Sequence, residues 1–94
     1  MKRFQPTTQY RKDLKRYRNK PKVLSALSEI LLMLKNEQPI PARYKPHLLH
    51  GNYRGCMECH IEGDLLLIWI DDVNDIIELV RLGSHSELFG KQKR

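Results

Sequence analysis

A chain of 94 residues has room for a single domain, residues 1–94, whose core removes a little over ~60% of the unfolded surface from water. Its formal charge of +6, from 17 Lys and Arg against 11 Asp and Glu, favours polyanionic partners: RNA, DNA or an acidic protein. The longest apolar run, Leu65 to Ile70, is far below the ~18 residues of a membrane span, and no apolar region follows Met1-Lys2-Arg3-Phe4 as in a signal peptide; a cytoplasmic protein that meets no membrane, with Cys56 and Cys59 as free thiols, is expected.

Lys2 to Gln5 reads as a short edge strand ended by Pro6. Thr7 or Thr8 then caps a helix with Tyr10, Leu14 and Tyr17 on one side, while Arg11, Lys12, Lys15, Arg16 and Arg18 make the other faces a phosphate-tracking surface, extended by Lys20 and Lys22. Lys91, Lys93 and Arg94 add a basic tail. Asn19 and Lys20 break the first helix, and Pro21 opens a second, with Val23, Leu24, Leu27, Ile30, Leu31 and Leu34 at helical spacing up to about Lys35. Pro39, Pro41 and Pro46 exclude regular helix from about Glu37 to Leu48, so His47 and His50 fall on or near a loop.

From Tyr53 the period changes to that of strands: Tyr53 to Ile61, a Glu62-Gly63 turn, Asp64 to Ile70, a polar turn over Asp71-Asp72-Val73-Asn74-Asp75, then Ile76 to Leu82. Gly83 ends the last strand, Ser84 and Glu87 form a capping box for a short helix, and Gly90 stops it. The pattern is that of an α+β fold, a helical hairpin beside an antiparallel meander.

With the turn at Glu62-Gly63, alternation puts Met57, Cys59, Ile61, Leu66, Ile68 and Ile70 on the face that packs on the helices. Arg54, Cys56, Glu58 and His60 share the other face with Leu65, Leu67 and Trp69, a half-polar surface and the expected working face. Cys56-Met57-Glu58-Cys59-His60 has the letters of haem attachment, and with His85 those of a zinc site, but cysteines three apart on a strand point to opposite faces. No cofactor or metal is expected.

The antiparallel connections bring the end of one strand with His60, the adjoining turn with Asp64, the end of another with Arg81, and the helix bearing His85 and Phe89 to one edge of the sheet. An imidazole titrates near ~6.5 and serves as general acid or base; a carboxylate orients it or takes a proton. The Arg81 fork suits a phosphate and its transition-state charge, and Phe89 is either a stacking plane for a nucleobase or an apolar staple closing the helix.

Three stretches carry a family resemblance: Tyr44-Lys45-Pro46-His47-Leu48-Leu49-His50-Gly51-Asn52-Tyr53-Arg54-Gly55, Glu58-Cys59-His60-Ile61-Glu62-Gly63-Asp64-Leu65-Leu66-Leu67-Ile68, and Arg81-Leu82-Gly83-Ser84-His85-Ser86-Glu87-Leu88-Phe89-Gly90. The chain resembles the RelE-type bacterial toxins, in particular the YafQ branch of mRNA interferases. The resemblance implies two N-terminal helices on a curved, mainly antiparallel sheet, a short C-terminal helix, and metal-free, ribosome-dependent cleavage of mRNA. It implies His47, His60, Asp64, Arg81, His85 and Phe89 as the catalytic set. The implied partners are a cognate acidic antitoxin of the DinJ or RelB kind, the ribosome with its mRNA, and operator DNA only together with the antitoxin. Such toxins can have Trp directly after the aspartate, where this chain has Leu65; Arg54 and Trp69, on the same expected face, are candidate RNA contacts. Two other functions fit such a scaffold: a gyrase-directed toxin of the ParE kind, which has no need of this acid–base set, and an antitoxin-dependent DNA-binding co-repressor.

Overall fold

Pairing between the two ends of the chain organises the sheet. Arg3–Pro6 (β1) runs parallel to Ile76–Ser84 (β5), with Phe4 opposite Ile77 and Pro6 opposite Leu79. Next to β5 lie Leu65–Asp71 (β4), Met57–Glu62 (β3) and the two-residue His47–Leu48 (β2), each antiparallel to its neighbour, so the order is β1-β5-β4-β3-β2. The computed structural model describes residues 2–72 and 74–90; Val73 in the polar turn and the basic tail Lys91, Lys93 and Arg94 lie outside the described residues. Among these residues no helix is long and apolar enough to cross a membrane.

The parallel β1–β5 pair needs a crossover, and the helices Thr8–Lys15 (α1) and Pro21–Lys35 (α2) lie in it. Thr7 joins α1 to the sheet: its hydroxyl accepts from the Tyr10 N–H at 2.9 Å, capping the helix, and donates to the Val80 carbonyl at 2.8 Å. Pro21 stands in the first turn of α2, where its missing N–H costs nothing. Under the helices Tyr10, Leu27, Ile30, Cys59, Leu65, Leu67, Trp69, Ile77, Leu79 and Leu82 form the larger core. Each fully buried aliphatic side chain there contributes about 1.5–3 kcal/mol.

The other face has a smaller core of Cys56, Leu66, Ile68 and Leu88, flanked by Tyr53, Val80 and Phe89. It is covered by His85–Phe89 (α3), whose capping box pairs the Ser84 hydroxyl with the Glu87 N–H at 3.2 Å and the Glu87 carboxylate with the Ser84 N–H at 2.8 Å. Gly83 lets α3 close over the strand, because a Cβ there would stand 3.0 Å from the Glu87 carboxylate and 3.1 Å from the Leu88 side chain.

The expected faces of β4 are reversed. The two-residue turn is Gly63-Asp64, with Glu62 opposite Leu65 and Gly63 at φ 59°. Ile61 is then an extra residue in β3, a bulge that restores His60 opposite Leu66. One position of slip sends every β4 side chain to the opposite face. Leu65, Leu67 and Trp69 therefore lie beneath the helices, while Leu66, Ile68 and Ile70 face α3, on the side expected for their neighbours. The β3 assignment of Met57, Cys59 and Ile61 to the helix side holds.

Candidate functional site

Two successive rows of side chains on the α3 side of the sheet carry the chemistry. One row runs His47, Glu58, Ile68, Arg81 across β2, β3, β4 and β5; the next runs His60, Leu66, Gly83, with His85 two positions after Gly83 at the start of α3. Cross-strand register thus brings His47, His60, Arg81 and His85 to one side, although they come from three strands and a helix.

His47 is held by two acceptors. Its Nδ1 donates to the Lys45 carbonyl at 2.8 Å, and its Nε2 lies 2.8 Å from Glu58 Oε1. A carbonyl only accepts, so Nδ1 is the donor in the first contact, which leaves Nε2 facing the carboxylate. The expectation of a loop at this point is thereby refined: His47 sits on an edge strand, paired in register with Glu58. The His60 ring centroid is 6.3 Å from that of His47.

Glu58 is the residue that sequence reasoning undervalued. Its side chain is 5% exposed, and Oε2 has no hydrogen-bond partner among the described residues. Leaving such a buried acceptor unsatisfied costs about 1–3 kcal/mol, and orphans of this kind collect where chemistry is done. Asp64, expected to orient an imidazole, is exposed on the turn and makes no hydrogen bond to one among the described residues; Glu58 makes that contact instead. The signal for it was a lone acid two residues before His60, on the same strand face.

Arg81 is also held. Asp13 on α1, 1% exposed, accepts from Arg81 Nε at 2.8 Å and Nη2 at 3.2 Å, and also from the Leu82 N–H at 2.9 Å. Burial pushes the Asp13 carboxyl up, but the bonds from Arg81 and Leu82, the Arg81 charge and Gln9 together bring it below the ordinary carboxylate value. The sequence held a sign of this: Asp13 belongs to the same helical stripe as Tyr10, Leu14 and Tyr17 and is an acid within a basic run.

Beside these rows an open cleft of about 600 Å³ is lined by His50, Asn52, Tyr53, His85, Leu88, Phe89 and Gly90. The Phe89 ring lies 4.8 Å from His85 and meets Tyr53 edge-on at 5.5 Å, so it is at once a cleft wall and a flank of the smaller core. Glu87 ties the helix of His85 to the N-terminal region: its carboxylate accepts from Arg16 at 3.0 Å and from the Tyr17 hydroxyl at 3.1 Å. Backbone hydrogen bonding at Ser84, against burial and with Tyr17 adding to it, holds the Glu87 carboxyl below its ordinary value.

Of the expected RNA contacts, Arg11, Lys12, Lys15, Arg16 and Arg18 are exposed. Arg54 is exposed too, on the turn before β3 rather than on the strand. Trp69 is 3% exposed in the larger core, so it offers no stacking surface; the reversed register of β4 is the reason. Cys59 and Cys56 lie in the two separate cores, and burial pushes the Cys59 thiol up to about 12. Among the described residues no three of His, Cys, Asp and Glu converge to hold a metal ion.

The chain and its fold have counterparts among known proteins. A curated mRNA interferase toxin YafQ of Escherichia coli K12 is 35% identical over 83 residues, which is 87% of this chain and 89% of the relative. A metal-bound toxin from Helicobacter pylori has 38% identity and a TM-score of 0.85, covering 95% of this chain and 100% of that one. In the E. coli DinJ-YafQ complex the matched chain has 30% identity and a TM-score of 0.81, over 96% of this chain and 100% of its own. The profile of the family described as bacterial toxin of type II toxin-antitoxin system, YafQ, matches residues 2–90, and the chain belongs to that family.

Proposed function

We propose that this chain is an endoribonuclease that cuts mRNA on the ribosome and is restrained by an acidic antitoxin. The observation that carries the reading is the convergence of His47 with Glu58, His60, Arg81 and His85 on one side of the sheet, next to a cleft walled by Tyr53 and Phe89. The similar E. coli protein is named an mRNA interferase, and its counterpart is seen in complex with DinJ.

In the proposed reaction a base removes the proton of a ribose 2′-OH, and the oxygen attacks the adjacent phosphorus. The bond to the 5′-oxygen breaks and an acid protonates it, leaving a 2′,3′-cyclic phosphate and a 5′-OH. His85, exposed on the first turn of α3, acts as the acid. His60, whose ring lies 6.3 Å from that of His47, acts as the base. His47, both ring nitrogens already engaged, holds Glu58 in place. Arg81 stabilises the phosphorane charge, Phe89 orients a base, and Asp64 meets the substrate at the rim. The ribosome supplies in-line geometry, since positioning alone removes about 7–11 kcal/mol of barrier.

The test is cleavage of a defined mRNA on programmed ribosomes by protein stripped with a chelator and desalted beforehand. A 2′,3′-cyclic phosphate and a 5′-OH at a single site, at the rate of untreated protein, are expected. Products with a 3′-OH and a 5′-phosphate, or activity that returns only with added metal, would overturn the mechanism.

A further inference from the structure

We propose that Asp13 is a positioning residue for RNA cleavage, acting on the substrate through Arg81; this rests on the reading of the chain as a ribonuclease.

A carboxylate at this place is not what packing alone selects. Asp13 lies on the buried stripe of α1, between Tyr10 and Leu14 on one side and β5 on the other, and is 1% exposed. Burying an ion pair costs several kcal/mol per ion, and apolar side chains of similar volume often serve stability as well or better. One structural duty is plain. The β1–β5 ladder ends at Pro6 and Leu79, after which the edge of β5 turns to α1: Thr7 takes the Leu79 and Val80 carbonyls, and Asp13 takes the Leu82 N–H. A single oxygen is enough for that last bond. Asp13 uses both, one on Nε and one on Nη2 of Arg81, which fixes the plane of the guanidinium.

That plane is fixed beside the cleft. The Tyr53 hydroxyl, from the cleft wall, lies close enough to the same guanidinium to favour its charged form after Asp13 does. The bulge at Val80, where Ile68 faces Arg81 and Trp69 faces Leu79, sets the root of the side chain, and Asp13 sets its end. An arginine tethered on one edge leaves its other edge to a phosphate without first losing the freedom of a long side chain.

Asp13→Asn keeps the structural duty and weakens the other: an amide oxygen in the place of Oδ2 can still accept from Leu82 and from Arg81 Nε, while the amide nitrogen in the place of Oδ1 cannot accept from Nη2, and the negative charge behind both bonds is gone. The assay is single-turnover cleavage on programmed ribosomes for the parent, Asp13→Asn, Arg81→Lys and the double variant, all verified as folded by circular dichroism. The maximal rate of Asp13→Asn should fall roughly 10- to 100-fold, with the half-saturating ribosome concentration within about twofold of the parent. In the Arg81→Lys background the same change should cost less than about threefold, because the group it positions is gone. By NMR, the Arg81 Nη2 hydrogen facing Asp13 should exchange slowly in the parent and rapidly in Asp13→Asn. Should Asp13→Asn not fold, Asp13→Glu replaces it and should show the same rate loss, since it keeps the charge but displaces it. A folded Asp13 variant within about threefold of the parent, independent losses that multiply, or an unchanged Arg81 Nη2 hydrogen in Asp13→Asn would overturn the proposal. An inert parent would instead remove the ribonuclease reading, and this proposal with it.

Discussion

Asp13 and Arg81, 68 positions apart, meet through two hydrogen bonds that tie the basic helix to the last strand. Asp13 has a folded-state pKa below its ordinary value, so its contribution to stability is fully present above the unfolded value of about 3.9 and is lost as pH falls through the lower, folded value. Asp13→Ala strands Arg81 and should cost about 3–5 kcal/mol at neutral pH. In urea titrations the gap between parent and variant should narrow below about pH 4. A gap that stays constant into acid would show that the carboxylate charge does not matter.

Trp69 tests the register of β4. Buried beneath the helices, it should behave as a core residue, and Trp69→Ala should lose about 3–5 kcal/mol in chemical denaturation. A variant of parental stability that has lost only RNA affinity would return Trp69 to the open face.

His85 is exposed and its ring touches Phe89, so His85→Ala should fold as the parent does. Loss of a positioned acid should lower single-turnover cleavage roughly 10²–10⁴-fold. A rate within threefold of the parent would remove it from the reaction.

The basic side of α1 should grip ribosomal RNA by charge. Replacing Arg11, Lys12 and Lys15 with Glu leaves the Asp13–Arg81 and Arg16–Glu87 contacts untouched. Co-sedimentation with ribosomes across a salt series should weaken, and its log–log slope should become shallower by roughly 2–3. Cleavage at saturating ribosomes should persist. Unchanged binding would make this surface merely solvated.

Where local chemistry decides an element, the sequence was readable. Pro21, the Ser84–Glu87 capping box and Gly90 each marked a helix end that the structure places there, and of the two candidate caps Thr7 and Thr8 it is Thr7 that caps α1. The face of β4 was not readable in this way, because Glu62-Gly63 and Gly63-Asp64 are both acceptable turns and the Ile61 bulge answers to packing across the whole sheet. Nor was the pairing of His47 with Glu58, which depends on a two-residue strand after three prolines. Asp13 was hidden for a different reason: its partner is remote in sequence, and only the crossover that makes β1 parallel to β5 brings α1 onto Arg81.

The most direct test of ribosome-dependent mRNA cleavage is to induce the protein in growing cells and map new 5′ ends across the transcriptome, with His85→Ala as the control. Cuts confined to translated regions, in register with the reading frame and absent from the control, are predicted. Intact mRNA accompanied by double-stranded DNA breaks would contradict the account and point to gyrase.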